Sequence, residues 1–198
     1  MKRTLITGGL LAAGLLPQLS AQAQTPITIR LEGQVTELPG PVGVRLTDPR
    51  APKGSAPVLS ARTDAAGHFE LRGEVPEPAV YLLQFDSVNS VAEVPLAAGD
   101  ALQLSGSREV VDKKRHRSRL KFTLSGSADA ALLRQYNELA NTHGKAFIRR
   151  LTAQGPVPDD AYAAAGRQLV RQHPASQVSA YWLHQRLARY PEQAVFID

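Results

Sequence analysis

The residue types that most often perform chemistry are sparse in this chain of 198 residues, and they form no familiar catalytic pattern. There is no cysteine, which excludes a thiolate nucleophile, a disulfide and a C-x-x-C redox pair. The G-x-S-x-G, H-E-x-x-H and P-loop motifs are absent as well. We therefore predict that the protein is not an enzyme and carries no cofactor. An active site assembled from scattered residues stays open as an alternative.

The histidines are poorly spaced for a metal ion. No two of them are separated by two or four residues, so no short segment supplies a pair of ligands. His143 lies between Leu139 and Phe147 on the apolar face of a predicted helix, where a packing role accounts for it. We expect no metal site.

The densest charge cluster is a run of basic residues between two predicted strands. A cluster of this kind creates a positive potential that attracts phosphate groups or anionic lipid headgroups. The alternative is a solvated hairpin tip between a strand that ends at Ser105 and one that begins at Leu120, whose like charges discourage pairing with other chains. The candidate anion-contacting residues are Lys113, Lys114, Arg115, Arg117 and Arg119.

The N-terminus has the three parts of a secretory signal peptide. Lys2 and Arg3 precede an uncharged apolar run from Leu5 to Leu16, and Ala21-Gln22-Ala23 provides a cleavage site before Gln24. The apolar run is shorter than the roughly 20 residues that span a bilayer. We expect export, most simply to the bacterial periplasm.

The overall charge gives little support to an anionic polymer as partner. The formal net charge of +5 falls to +3 when the signal peptide removes Lys2 and Arg3. The chain has few aromatic side chains for stacking on bases and no RNA-binding signature. Nucleic acid is not expected as a partner.

Eight short segments have the pattern of strands. Most alternate between apolar and polar residues, which is typical of strands with one buried face, whereas Val80 to Phe85 is apolar on both faces, as in a central strand. Turn residues separate them, as in Asp64-Ala65-Ala66-Gly67, and no helical pattern intervenes. This arrangement predicts an antiparallel β-sandwich of about eight strands. The segments are 27–35, 42–46, 57–63, 68–72, 80–85, 91–96, 101–105 and 120–124.

The period then changes to that of amphipathic helices. Ser127 is placed to cap a first helix, Asp159 or Asp160 a second and Ser176 a third. The fold class is therefore mainly β with a helical tail. Its predicted parts are a signal peptide over 1–23, a β-sandwich over 24–126 and a helical appendage over 127–198.

The last predicted helix carries more aromatic and aliphatic surface than one packed face requires. Aromatic residues are enriched in the cores of protein interfaces, so this helix is a candidate interaction surface. The alternative is that these side chains pack on the sandwich. The candidate residues are Tyr181, Trp182, Leu187 and Tyr190.

From Ile27 to about Leu187 the sequence resembles a domain of unknown function found in the Bacteroidetes. That domain usually precedes the thioredoxin-like domain of exported thiol–disulfide oxidoreductases of the TlpA and ResA type. The features that carry the resemblance keep the family's order and spacing. They are Ile29-Arg30-Leu31-Glu32-Gly33, the segment from Asp64 to Val75, Pro78 to Leu83, Pro95 to Leu104, Leu124-Ser125-Gly126-Ser127 and His173-Pro174-Ala175-Ser176.

The resemblance implies a non-enzymatic binding, positioning or dimerisation module of the periplasm. Its implied partner is a thioredoxin-like envelope protein or a second copy of the chain. The W-C-x-x-C motif of the family's thioredoxin-like domain has no counterpart here, so redox activity is not implied. Two alternatives remain open, namely an envelope module that binds a glycan, a peptide or a lipid headgroup, and an enzyme with a scattered site.

Overall fold

A computed structural model describes residues 25–86, 88–89, 91–112, 117–152 and 161–189, without the side chains of 144–152, 161 and 186–189. The predicted signal peptide over 1–23 lies outside these residues, as do Asp159 and Asp160. The described part contains eight strands followed by three helices, in agreement with the sequence prediction. The strands are β1 (Ile27–Thr36), β2 (Gly43–Thr47), β3 (Leu59–Arg62), β4 (His68–Val75), β5 (Ala79–Phe85), β6 (Val91–Leu96), β7 (Ala101–Asp112) and β8 (Arg117–Ser125); the helices are α1 (Ala128–Thr152), α2 (Ala161–Gln172) and α3 (Gln177–Arg189).

The strands form two four-stranded sheets. Sheet A has the order β4-β1-β7-β8 and sheet B the order β3-β2-β5-β6. All neighbouring strands are antiparallel except β1 and β7, which run parallel in the centre of sheet A. The chain between β1 and β7 passes through the four strands of sheet B and through β4, and not through a helix. The sandwich is therefore mainly, but not wholly, antiparallel.

The two sheets bury the apolar residues of each alternating strand against each other. Phe69 of β4, which is 6% exposed, packs edge-on against Phe85 of β5, with ring centroids 5.4 Å apart. Leu31 of β1 and Leu102 of β7 are also buried and lie opposite each other in the register of sheet A. The polar residues of the same strands cover the outer face of sheet A, where they are exposed to solvent.

The helices cover the outer face of sheet B as a third layer. Strand β5 is apolar on both faces because it lies between the core and this layer. Tyr81 faces the sandwich core, whereas Val80 joins a second apolar cluster with side chains of α1 and α3. On β6, Glu93 accepts a hydrogen bond of 2.8 Å from the hydroxyl of Tyr181 on α3.

The predicted caps are confirmed for two of the helices. Ser127 Oγ accepts a hydrogen bond of 3.1 Å from the N–H of Ala130 at the start of α1. Ser176 Oγ accepts one of 3.1 Å from the N–H of Val178 at the start of α3. These bonds satisfy N–H groups that have no partner within the helix.

Candidate functional site

The predicted cationic run lies at the end of the β7–β8 hairpin. The sequence analysis ended the first strand at Ser105 and began the second at Leu120, and both limits were wrong. Strand β7 continues to Asp112 and β8 begins at Arg117, so the hairpin projects further than predicted. Local alternation fades beyond Ser105, but cross-strand pairing with β8 holds the segment extended. Lys113, Lys114 and Arg115 lie outside the described residues.

The two described arginines of the run are exposed on β8. Arg119 donates a hydrogen bond of 2.8 Å from Nε to Glu109 Oε2 on the facing strand. The hydrogen bond from Arg119 holds the pKa of Glu109 below its usual value, and the positive charge of Arg119 adds to this. Arg117 lies opposite Asp112 in the register. Carboxylates therefore accompany both arginines.

The same hairpin exposes two valines beside these charges. The register passes from Val110 opposite Ser118 directly to Asp112 opposite Arg117, which leaves Val111 without a partner in the ladder. An extra residue of this kind is a β-bulge, and bulges redirect side chains. Val110 is 45% exposed and Val111 is 60% exposed.

The predicted interaction surface on α3 is largely used within the fold. Trp182 is 8% exposed and stacks on Tyr136 of α1 at 5.3 Å between ring centroids. Its indole N–H donates to the hydroxyl of Tyr162 over 3.1 Å. Tyr181 donates to Glu93, so the packing alternative describes both residues. The side chain of Leu187 and the whole of Tyr190 lie outside the described residues.

Several acidic side chains have structural partners. Asp64 Oδ1 accepts hydrogen bonds from the N–H groups of Ala66 and His68, and Asp64 Oδ2 lies 3.0 Å from His68 Nδ1. Asp100 accepts from the N–H of Ala97. Among the described residues no three histidine, aspartate or glutamate side chains form a group that could hold a metal ion.

An open depression of about 630 Å³ lies on sheet A. Glu32 of β1 and Glu70 of β4 face each other across the register, and the guanidinium of Arg30 forms ion pairs with both. Gln103 of β7 adds an amide to the same row. Arg30 balances only one of the two carboxylates, and Asp64 and Arg62 also line the depression, which leaves its polar lining acidic by one unit.

A second concavity, which we call the β8–α1 groove, separates the free edge of β8 from α1. It has a volume of about 450 Å³. Strand β8 supplies the segment from Arg119 to Leu124 on one side. Helix α1 supplies residues spaced three and four apart, which share one face of the helix. These residues include Ala130, Leu133, Arg134, Asn137, Glu138 and Asn141.

The backbone of β8 presents hydrogen-bonding groups to this groove. Ser118 uses its N–H and C=O for Asn89, so these groups point away from β7. In an antiparallel pair this direction alternates from residue to residue. The ladder is uninterrupted from Ser118 to Ser125, so the N–H and C=O groups of Phe122 and Leu124 also point away from β7. Within the described part of the chain neither residue has a hydrogen-bond partner on this edge.

The walls of the β8–α1 groove are more basic than acidic. Arg119 and Lys121 come from β8 and Arg134 comes from α1, whereas Glu138 is the single acidic residue among those that line it. Arg134 and Glu138 are one helical turn apart, with Nε and Oε1 separated by 3.9 Å. Because both are largely exposed, water screens this pair strongly. The groove thus offers cations to a bound segment.

Sequence reasoning missed the groove, although one sequence feature pointed to it. Arg117, Arg119 and Lys121 occupy alternate positions along β8. Basic residues on the exposed face are typical of edge strands, because they discourage pairing with further copies of the same protein. The pattern could have identified β8 as an edge strand, but not that α1 lies beside it.

Among the residues that the structure describes, no helix is long and apolar enough to cross a membrane. Comparison with known proteins adds no identification. No family model matches the chain, and no curated protein matches it either. The resemblance to the domain that precedes thioredoxin-like domains therefore remains an expectation from the sequence.

Proposed function

We propose that this protein is a non-enzymatic binding and positioning module of the periplasm that holds an extended segment of a partner polypeptide in the β8–α1 groove. The observation that carries this proposal is the direction of the backbone at Phe122 and Leu124. Each residue turns one N–H and one C=O toward a groove that has a helix as its other wall. This is the arrangement that accepts an added strand, with main-chain hydrogen bonds for affinity and side-chain contacts for selectivity.

The charges around the groove favour an acidic partner strand. Arg119, Lys121 and Arg134 would attract carboxylates on the partner's exposed side. Apolar residues on its other side would face Leu133 and Phe122. A second copy of this chain fits less well, because pairing of two β8 edges would bring their basic residues together.

Three further features support the proposal. The N-terminal sequence has the form of an export signal, which favours a function in the envelope. The resemblance described above makes a thioredoxin-like envelope protein the candidate partner. Asp64, Glu93 and Asp100 serve turns or helix packing, which favours a binding role over catalysis.

The proposal is tested with a synthetic peptide in which glutamate and valine alternate, titrated into the isotope-labelled chain from Gln24 onward. We expect the amide resonances of Phe122 and Leu124 to shift more than those of β4, the opposite edge of sheet A. A peptide with N-methyl groups on alternate residues should lose at least about tenfold in affinity, since it cannot complete the main-chain bonds. A peptide of alternating lysine and valine should bind more weakly than the N-methylated peptide, because its lysines would be repelled by the basic residues of the groove.

Two variants of α1 provide a matched control. Asn137→Trp fills the groove, whereas Gln135→Trp places the same side chain outside it, and both wild-type residues are exposed. We expect Asn137→Trp to weaken peptide binding about tenfold or more and Gln135→Trp to leave it unchanged. Shifts confined to another surface, or equal binding by the two variants, would refute strand addition at β8.

A further inference from the structure

The far end of the β7–β8 hairpin, at the opposite end of β8 from Leu124, combines exposed apolar surface with positive charge. Valine is normally buried, and only three large apolar residues of the described part are conspicuously exposed. Two of them, Val110 and Val111, are neighbours at this one place. A β-bulge at Val111 lies beside them in the ladder.

Charged side chains surround the two valines. Arg117 and Arg119 are exposed on the facing strand, and Arg108 is half-buried two residues before Val110. Glu109 and Asp112 offset part of this charge, which leaves the described end of the hairpin positive by one unit. The sequence of 113–116 adds further cations, but the contacts inferred below are assigned to described residues alone.

We propose that this hairpin end docks on an anionic lipid bilayer, with Val110 and Val111 entering the headgroup region and Arg117, which does not line the β8–α1 groove, contacting lipid phosphates. Apolar side chains beside cations form the usual pairing for peripheral membrane attachment, because either feature alone binds weakly. The bilayer uses both features together.

The geometry is compatible with simultaneous use of the β8–α1 groove. Ser118, next to the hairpin end, is buried and fixed by two hydrogen bonds to Asn89, so the hairpin is anchored to the body of the sandwich. Phe122 and Leu124 lie further along β8 in the direction of α1. Attachment through the valines would present the groove at a defined distance from the membrane.

The test is cosedimentation of the chain from Gln24 onward with vesicles of mixed phosphatidylglycerol and phosphatidylcholine. Omitting residues 1–23 keeps their apolar run from inserting into the vesicles on its own, and every described core residue lies downstream of them. We expect binding to these vesicles, weakening as salt is added, and none to vesicles of phosphatidylcholine alone. Added inorganic phosphate should compete no better than an equal ionic strength of chloride, which separates a bilayer from a free-anion site.

Variants separate the contribution of the positive charge to vesicle binding from that of the two valines. Arg117→Gln should weaken binding about fivefold, the typical effect of one cation near an anionic surface. Glu109→Gln, which removes a negative charge, should strengthen it. The double variant Val110→Ser/Val111→Ser should lose about fivefold or more. Val91→Ser is the matched control, because Val91 is a 47% exposed valine of β6, outside strands β7 and β8, and should leave binding unchanged.

Circular dichroism establishes that each variant is folded before it is compared. Absence of binding to the phosphatidylglycerol vesicles would overturn the proposal. It would also be overturned if the two serines at 110 and 111 left binding at the wild-type level, because the valines would then have no part in attachment. Loss of vesicle binding with retained peptide binding in the groove would leave the proposed function standing.

Discussion

At the scale of single residues, Gly67 and Gly99 have the same backbone conformation but different surroundings. Their φ angles are +83° and +80°, a region in which a side chain is disfavoured. A Cβ on Gly67 would lie 1.9 Å from the carbonyl oxygen of Val35, whereas a Cβ on Gly99 would have nothing within 4 Å. A side chain at Gly99 would therefore cause backbone strain alone, whereas one at Gly67 would cause backbone strain and a steric clash.

We predict that Gly99→Ala lowers the free energy of unfolding by about 1–2 kcal/mol, the cost of the left-handed conformation. Gly67→Ala should lower it by about 3–5 kcal/mol, because the methyl group also displaces the backbone of β1. Urea titration followed by circular dichroism measures both. Equal losses would show that the close approach of Gly67 to Val35 is relieved without cost.

Asp64 gives the turn before β4 a dependence on pH. The hydrogen bond from the N–H of His68 lowers the pKa of Asp64 below its ordinary value of 3.8, and the bond from the His68 side chain adds to this. A carboxyl group with a lowered pKa in the folded state stabilises the fold above its unfolded pKa. That contribution is lost as the pH falls through the folded pKa.

Asp64→Asn should therefore be less stable than the wild type near neutral pH, with the difference shrinking as the pH falls below 3.8. The amide keeps an oxygen for the N–H groups of Ala66 and His68 but loses the charge. Glu74→Gln, an exposed change on β4, the strand that follows this turn, serves as the control and should track the wild type. A difference between Asp64→Asn and wild type that is constant from neutral to acid pH would contradict the assignment.

At the scale of secondary-structure elements, Ser127 and Ser176 each cap a helix, but only Ser176 also bonds to a second helix. Ser127 Oγ only caps α1. Ser176 Oγ caps α3 and also donates a hydrogen bond of 2.6 Å to Asp129 Oδ1 in the first turn of α1. The second bond ties the beginnings of two helices together.

We predict that Ser127→Ala destabilises the protein by about 1 kcal/mol, the usual cost of losing a cap. Ser176→Ala should cost about 2 kcal/mol, because it also leaves the half-buried carboxylate of Asp129 without its donor. Ser60→Ala on the exposed side of β3 is the reference and should have little effect. Thermal unfolding of the three variants provides the measurement, and an equal loss for Ser127 and Ser176 would refute the interhelical role.

At the scale of the whole molecule, the sandwich and the helices share an apolar cluster. Val80 of β5 packs with Tyr136 of α1 and with Val178 and Trp182 of α3, so the helical layer depends on sheet B for part of its buried surface. The sequence boundary between 126 and 127 divides the two kinds of secondary structure. It does not divide the apolar packing.

We therefore predict a single cooperative unfolding transition. Trp182 is the only tryptophan in the chain, so its emission reports the helical layer specifically. Its midpoint in guanidinium chloride should coincide with that of far-ultraviolet circular dichroism, which reports the sheets and helices together. An emission change that precedes the loss of circular dichroism would show that the helices separate from a sandwich that stays folded.

The sequence by itself determined the secondary structure and much of the core. Alternation, and an apolar run in the case of β5, placed all eight strands, although β7 and β8 extend beyond their predicted limits. Ser127 and Ser176 were correctly identified as caps. These features depend on residues only a few positions apart, so they can be recognised in the sequence alone.

Only the tertiary structure decided which strands are neighbours and which surfaces remain open. The parallel pairing of β1 with β7, the edge position of β8 and the burial of Trp182 all depend on segments far apart in the chain. The candidate groove depends on the backbone groups of Phe122 and Leu124. Their direction is set by the pairing of β8 with β7, so the pattern of side chains in the sequence does not predict it. The exposure of Val110 and Val111 is likewise a tertiary property, because it depends on how far the β7–β8 pairing extends rather than on the valines themselves.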